Sequence, residues 1–308
     1  MKGGIAVIIP AYNEALTIAK VVRDFKKELP KADVYVFDND SSDETASLAK
    51  RRGAKVIQVR RRGKGHVIQK AFDTLDYDYY VVVDGDDTYP AESVHDLLGP
   101  VVDGRYDMMV GSRMGGFKKE KKTVLHSIGN RIILWALKFC FPTDIKDMLS
   151  GYRAVNKDIV KSLNLLSGGF TIETEMTIKT LESGFEIGEI PIRYRERPAG
   201  SESKLDTWGD GIYILTTVLE LFRDHRPMQF FIAVSTIPFA LAVGFGYAVI
   251  QEILKTGNVT NYSSLILAIS FSVITLILLS MGFIASSVRK SHVETIGLLK
   301  KMKRRNDK

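Results

Sequence analysis

Asp84, Asp86 and Asp87 place three carboxylates within four residues, directly after the apolar run Val81-Val82-Val83. Carboxylates this close repel one another and require a counter-charge. A divalent cation with a diphosphate is the natural partner, because Mg2+ and Mn2+ take oxygen ligands and keep positions open for phosphate oxygens. Two more acidic turns follow apolar runs nearer the N-terminus: Pro10-Ala11-Tyr12-Asn13-Glu14 after Ile5–Ile9, and Asp38-Asn39-Asp40-Ser41-Ser42-Asp43 after Asp33–Phe37. Each alone reads more simply as an ordinary strand-to-helix turn, with Asn13 or Ser42 capping the helix. Together they set carboxylates side by side on one edge, where they suit the donor groups of a base and the hydroxyls of a ribose. Neither turn carries a glycine-rich phosphate cradle, which disfavours a Rossmann dinucleotide site and a Walker loop.

Turns of this kind need strands to end at them and helices to follow. A helical period covers Asn13–Leu29; Asp43–Arg52 opens a second helix with acidic residues at its N-terminus. Val56–Val59 reads as a strand, Gly65–Leu75 as a helix and Tyr79–Val83 as a strand. Repeated βα units predict an α/β fold, a mostly parallel sheet with helices on both faces and ligands at the carboxyl ends of its strands. The 308 residues suffice for one large domain or two ordinary ones. An apolar content of 45% excludes disorder, 25 Gly without a period exclude collagen, and the single Cys140 excludes a disulfide framework. One Cys and five scattered His also build no closed zinc site.

Charged residues make up 26% of the chain, yet its mean hydropathy is zero, so the apolar residues must be concentrated. They are: Phe230–Ile250 and Leu265–Val288 contain no charge and hold 21 and 24 residues, the length of membrane-spanning helices. Buried core helices of that length normally keep a polar face, and a C-terminal transmembrane hairpin is expected. Arg223 and Arg226 precede it, Arg289 and Lys290 follow it, and the loop Gln251–Ser264 has one Lys and one Glu. The positive-inside rule then puts the N-terminal domain and both termini in the cytoplasm of a multi-pass cell-membrane protein. The sequons at Asn258 and Asn261 lie so near the membrane that chance occurrence is the simpler reading. No signal peptide is expected before the first strand.

The order PAYNE, DNDSSDET, Gly63-Lys64-Gly65 and Asp84-Gly85-Asp86 resembles the family-two inverting glycosyltransferases of GT-A fold. Gly111-Ser112-Arg113, Asp147–Arg153, Glu189-Ile190-Pro191-Ile192 and Arg197–Leu205 extend the likeness to the polyprenyl-phosphate sugar transferases, of the dolichyl-phosphate mannose or glucose synthase kind. The resemblance implies that Pro10, Tyr12, Glu14 and Asp38 line the nucleotide pocket, that Lys64 sits near the base or phosphates, and that Asp84 contacts the nucleotide sugar. It implies that Asp86 binds the Mg2+ or Mn2+ bridging the donor diphosphate, and that Arg113, Arg197, Ser203 and Lys204 hold the acceptor phosphate. Asp86, Arg113 and Arg197 are then the catalytic set. Two residues depart from the pattern: Asp40 stands where Gly or Asn is common, and Gly85 where Ala is usual.

The expected organisation is a GT-A domain over 1–205, a juxtamembrane amphipathic helix over 206–227, two transmembrane helices with a short external loop over 228–288, and a basic tail over 289–308. The expected activity is metal-dependent inverting transfer of a hexose or N-acetylhexosamine from a nucleotide sugar to a polyprenyl phosphate. UDP-glucose, UDP-N-acetylglucosamine and GDP-mannose are the candidate donors, and Asp87-Thr88-Tyr89-Pro90 leans toward the uridine pair. Ile128, Ile132, Trp135 and Phe139, and likewise Leu215, Val218, Leu219 and Phe222, fall at helical spacing and read as interfacial stripes, although the first fits a core equally. A processive polysaccharide synthase is disfavoured by two spans and by the lack of an Arg before Trp135 or Trp208. Transfer to another acceptor and an inactive membrane scaffold that binds a nucleotide are the alternatives. Of the net charge of +7, residues 289–308 carry +6, from eight Lys or Arg against two acids. The N-terminal domain is therefore near neutral and unsuited to nucleic acid, whereas each basic residue of the tail gains about 1 kcal/mol near anionic lipid.

Overall fold

The computed structural model describes residues 4–113, 134–141, 143–166, 172–198, 216 and 219–306. The chain forms two compact units, Met1–Ile128 with Thr143–Asp210 and Gly129–Pro142 with Gly211–Lys308. In the first, β1 (Ile5–Ala11), β2 (Asp33–Asp38), β3 (Lys55–Gln58), β4 (Tyr79–Val82), β5 (Met108–Ser112), β6 (Arg153–Asn156) and β7 (Ile187–Pro191) make one sheet in the order β3-β2-β1-β4-β6-β5-β7. The pairs β1–β2, β1–β4, β2–β3 and β5–β7 are parallel, while β6 runs antiparallel to β4 and β5. The sheet is mostly parallel, as the βα alternation predicts.

Strands covered on both faces are apolar throughout rather than alternating. β1, with sequence IAVIIPA, shows this: its residues Ala6 to Ile9 have no solvent exposure. One face packs its side chains with Ile18, Val22 and Phe25 of α1 (Ile18–Glu28), Ala49 of α2 (Thr45–Arg51) and Leu97 and Leu98 of α4 (Val94–Val102). The other packs with Val67, Ile68 and Ala71 of α3 (Lys64–Thr74), Ile159 of α5 (Lys157–Ser162) and Met176 of α6 (Ile172–Glu182). Each of the Val, Leu, Ile, Phe and Met side chains among these contributes about 1.5–3 kcal/mol by leaving water.

α1 begins at Ile18, five residues later than its period suggests, because residues 13–15 are held elsewhere. Asn13 is left-handed at φ 52°. Its N–H donates to Ser41 Oγ at 3.0 Å, and its Oδ1 accepts from the Ser42 N–H at 2.8 Å. Glu14 N–H donates to Thr45 Oγ1 at 2.8 Å and Ala15 N–H to Asp43 Oδ2 at 3.1 Å. Asn13 therefore does not cap α1: its side chain joins the first acidic turn to the second, and Thr17 is the N-cap residue.

The second unit contains α7 (Pro227–Thr256) and α8 (Tyr262–Asn306). Both have stretches long and apolar enough to cross a membrane, Pro227–Thr256 and Tyr262–Ser291. Proline at the start suits α7, since the first turn needs no amide donor; Gly257 ends it at φ 73°, its N–H on Ile253 O at 2.9 Å. The helices pack through Phe245 and Phe271, stacked 6.0 Å apart, while Ile237, Leu276 and Phe283 remain exposed as lipid-facing residues do. The rings of Trp135, Phe139 and Phe222 lie within 6.0 Å of one another, with Trp135 and Phe139 exposed. With exposed Leu219, these are the described members of the two expected interfacial stripes. Ile128, Ile132, Leu215 and Val218 lie outside the described residues.

Candidate functional site

The acidic turns meet at the carboxyl edge of the sheet because parallel β1, β2 and β4 are neighbours and all end there. Val83 N–H extends the pairing to Ile8 O at 3.0 Å, and the Asp84–Asp87 turn begins at the next residue. Thr17 Oγ1 of the first turn donates to Gly85 O at 2.7 Å, fixing this turn against α1. A Cβ built on Gly85 would lie 3.4 Å from Pro10 O, an ordinary contact, so the Gly for Ala departure is sterically neutral.

Asp86 is 2% exposed. Its Oδ1 accepts from Thr88 N and Oγ1 at 3.2 and 2.6 Å, and its Oδ2 pairs with Arg197 at 2.9 Å. Burial, and next the Asp84 charge, push its carboxyl above the usual carboxylate range, against the pull of Thr88 and Arg197. The carboxylate has thus lost its water and has Asp84 beside it, and a hard cation would favour its charged form. Among the described residues no three His, Cys, Asp or Glu converge as a complete protein cage. The donor set suits Mg2+ or Mn2+ held by one or two carboxylates and completed by substrate oxygens. Asp86 is the residue placed to hold it, with Asp84 beside it.

Lys64, at the start of α3, is in close ion-pair contact with both Asp84 and Glu173, and its side chain is 9% exposed. Burial would lower its pKa, but the two carboxylates more than reverse that and hold the ammonium above its ordinary value. Lys64 therefore stands at the β4 end of the sheet edge, beside Asp84. A Cβ at Gly151 would come within 2.5 Å of Asp84 Oδ2 and 2.7 Å of Lys64 Nζ, so only glycine fits beside this pair. Tyr89 OH accepts the Gly151 N–H at 3.0 Å, linking the loop before β6 to the turn after β4.

Arg113 follows β5 and donates Nε and Nη2 to the two oxygens of Asp147, both at 2.8 Å, with its backbone N–H on Oδ2 at 3.0 Å. Burial disfavours its charge, yet the Asp147 bonds hold its pKa well above the ordinary arginine value. The Asp147 loop is held from below by Arg153, 1% exposed, which donates to Ser150 O at 3.0 Å, Met148 O at 2.6 Å and Thr177 Oγ1 at 2.8 Å. Burial pushes the Arg153 guanidinium down to about 10.

The residues expected to line a nucleotide pocket gather at the ends of β1 and β2. Pro10 pairs in register with Phe37 and Ala11 with Asp38. Asp38 is 1% exposed and its Oδ2 accepts from Gln58 Nε2 at 2.9 Å. Tyr12 OH accepts from Arg62 Nη1 at 2.9 Å, and the Arg62 guanidinium lies 4.8 Å over the Tyr12 ring. Glu14 accepts from Thr17 Oγ1 at 3.4 Å. Asp40 takes φ 62°, a conformation that glycine and asparagine adopt most readily, and pairs with Arg62 at 3.6 Å. Ser203 and Lys204 lie outside the described residues. Pro10, Tyr12, Glu14, Asp38, Lys64, Asp84, Asp86, Arg113 and Arg197 all belong to the sheet unit and its loops.

Glu173 and Arg62 enter the site without having been singled out in the sequence, and Arg153 was named there only as the end of the Asp147–Arg153 motif. Glu173 is a helical glutamate 109 positions from Lys64, and no local spacing marks it. Arg62 could have been found from its place two residues before Lys64, between acidic turns that need cations.

The glycosyl transferase family 2 profile matches residues 6–163. Glycosyltransferase AglJ of Haloferax volcanii is 35% identical over 249 residues, 80% of this chain and 82% of that protein. A dolichyl-phosphate hexose transferase of the same organism is 29% identical over 72% of this chain and 95% of its own length. Glucosyl-3-phosphoglycerate synthase of Mycobacterium tuberculosis, solved with Mn2+ and UDP-glucose, superposes with a TM-score of 0.59 at 22% identity over 71% of this chain and 79% of that one. This last likeness concerns the fold.

Proposed function

Because the chain belongs to glycosyl transferase family 2 and is a glycosyltransferase, we propose that it transfers a hexose or N-acetylhexosamine from a nucleotide sugar to a polyprenyl phosphate. The observation that carries this reading is the meeting of buried Asp86 with Arg197, beside Asp84 and Lys64, at the carboxyl end of β4. Such a site can take an anionic donor through a cation and an anionic acceptor through arginine. The dolichyl-phosphate hexose transferase among its relatives supports the acceptor class, and the two apolar helices supply the anchoring that a bilayer-bound lipid requires.

The acceptor phosphate oxygen forms a bond to the anomeric carbon as the bond from that carbon to the diphosphate oxygen breaks on the opposite face, inverting the centre. A phosphate monoester is largely dianionic at neutral pH, its second pKa being about 6, so no side chain need remove a proton. A divalent cation on Asp86 would neutralise charge on the departing nucleoside diphosphate. Asp84 and Lys64 orient the sugar end of the donor. Arg197, now paired with Asp86, and Arg113, fixed by Asp147, bring positive charge to the acceptor phosphate, with Ser203 and Lys204 in the same role. Fixed charges of this kind act without reorganising during reaction. The catalytic domain and both termini face the cytoplasm, with the tail 289–308 on anionic lipid.

Purified protein, radiolabelled nucleotide sugars, a short polyprenyl phosphate and Mg2+ or Mn2+ test the reading. Label enters the organic-extractable lipid, EDTA stops the transfer and added metal restores it. Asp86→Ala abolishes both transfer and Mn2+ binding while the far-UV spectrum stays native. Full activity in that variant refutes the metal assignment, and a wild type that labels no lipid with any donor refutes the acceptor.

A further inference from the structure

We propose that Asp87, the third carboxylate of the turn after β4, is a positioning residue: through Arg195 it fastens the stretch 192–197 across that turn and so sets Arg197 for the acceptor phosphate. This inference rests on the acceptor reading above and deepens it.

The charge of Asp87 is answered within the protein. Its Oδ1 pairs with two cations from distant parts of the chain, Lys20 of α1 at 2.5 Å and Arg195 at 3.6 Å, and its side chain is 16% exposed. Lys20 pairs in turn with Asp24, one helical turn along α1, at 3.1 Å. An oxygen shared between two cations holds little attraction for a third. Asp86 differs: a single cation, Arg197, stands on its Oδ2, and Thr88 gives its Oδ1 only neutral donors. The Asp87 backbone is left-handed at φ 59°. Such a conformation costs a non-glycine residue free energy and persists where the surrounding contacts hold it.

Arg195 ties the far side of this knot. Its backbone N–H donates to Thr88 O at 2.8 Å, its Nη2 donates to Glu92 Oε1 at 2.8 Å, and its Nη1 faces Asp87. The stretch that carries it is anchored before that point as well. Ile192 N–H donates to Ser112 O at 2.9 Å, continuing the β5–β7 pairing. The Tyr194 ring meets Tyr89 at 5.2 Å, and the Arg113 guanidinium lies 5.8 Å over it. Arg197 follows two residues after Arg195 and reaches Asp86 at 2.9 Å. The contacts of Arg195 do not draw on Asp86. The stretch therefore stays on the turn when a cation takes up the Asp86 charge and Arg197 is given over to a phosphate. A guanidinium recognises phosphate through a planar fork, so its placement counts as much as its charge.

Initial rates of the full-length protein in detergent, with the nucleotide sugar and a short polyprenyl phosphate each varied in turn, test the inference together with calorimetric titration by Mn2+. Asp87→Asn keeps the shape of the side chain and removes its charge. It is expected to raise the acceptor KM about tenfold, while the donor KM and the Mn2+ affinity stay within about twofold. Arg195→Gln does the same, and the double variant is no worse than either single one, because both break one contact. The Arg195 side chain is 40% exposed, so that variant carries the test if Asp87→Asn fails to fold. Lost Mn2+ affinity in Asp87→Asn makes Asp87 a cation ligand and overturns the inference. An equal rise in both KM values, an unchanged acceptor KM in Arg195→Gln, or additive losses in the double variant also overturns it, and each leaves the acceptor reading standing. A wild type that labels no lipid overturns both.

Discussion

Gly151 offers a test of how rigidly the reacting end of the site is held. Its backbone is not left-handed, so alanine costs nothing in dihedral strain there. The cost is steric: the added Cβ would stand 2.5 Å from Asp84 Oδ2 and 2.7 Å from Lys64 Nζ. Ordinary contact begins near 3.5 Å, so the two groups must retreat by about 1 Å. Neither is a loose side-chain end, since Lys64 is tied to both Asp84 and Glu173 and is almost wholly buried. Overpacking of this order costs about 1–3 kcal/mol, a thermal midpoint lower by a few degrees. Misplacement of a substrate-orienting group by about 1 Å costs about 100-fold in rate. Gly151→Ala is therefore expected to remain folded in detergent while kcat/KM for sugar transfer falls about 100-fold. Gly244→Ala is the matched control, because open space surrounds that position and the same change adds the same methyl group. Gly151→Ala protein with kcat/KM within threefold of wild type refutes the placement of Asp84 and Lys64 in the reacting site.

The Arg113–Asp147 pair separates stability from chemistry. Arg113→Met strips both guanidinium bonds from Asp147, whose side chain is 3% exposed, and lowers the thermal midpoint; adding Asp147→Leu recovers part of the midpoint but not transfer, and recovery of transfer in the double variant removes Arg113 from the acceptor site. At the opposite edge of the sheet, the Tyr77 hydroxyl and then Lys55 hold the Asp33 carboxyl below its ordinary range. A depressed folded value contributes stability that is fully present above the unfolded value of about 3.9 and is lost as pH falls through the lower folded value. Asp33→Asn is thus less stable than wild type at pH 7, and the two melting curves converge as pH falls below about 4; a gap that widens on acidification contradicts the assignment.

Periodicity and composition determine much of this protein. The apolar runs that become β1, β2 and β4 are continuous because both faces of a parallel strand are covered, and that continuity is visible residue by residue. The two charge-free windows are visible for a similar reason: a helix that crosses lipid admits no charge. The Asp84–Asp87 turn could be nominated as a cation site because its three carboxylates make a local electrostatic problem, while the choice of Asp86 as the ligand came from the family resemblance. What local order cannot contain is contact across the sheet. Asn13 reads as a helix cap within its own turn, yet its carboxamide bonds Ser42, 29 residues on, because β1 and β2 are neighbours. Glu173 reads as an ordinary helical acid until α6 carries it to Lys64, and the requirement for glycine at 151 exists only because Asp84 and Lys64 are folded against it. The sequence by itself determined the fold class and the residue types of the chemistry, since both follow from local patterns of burial and charge. The tertiary structure alone decided which of those charges are partners, because the short distances that fix a partner join residues far apart in the chain.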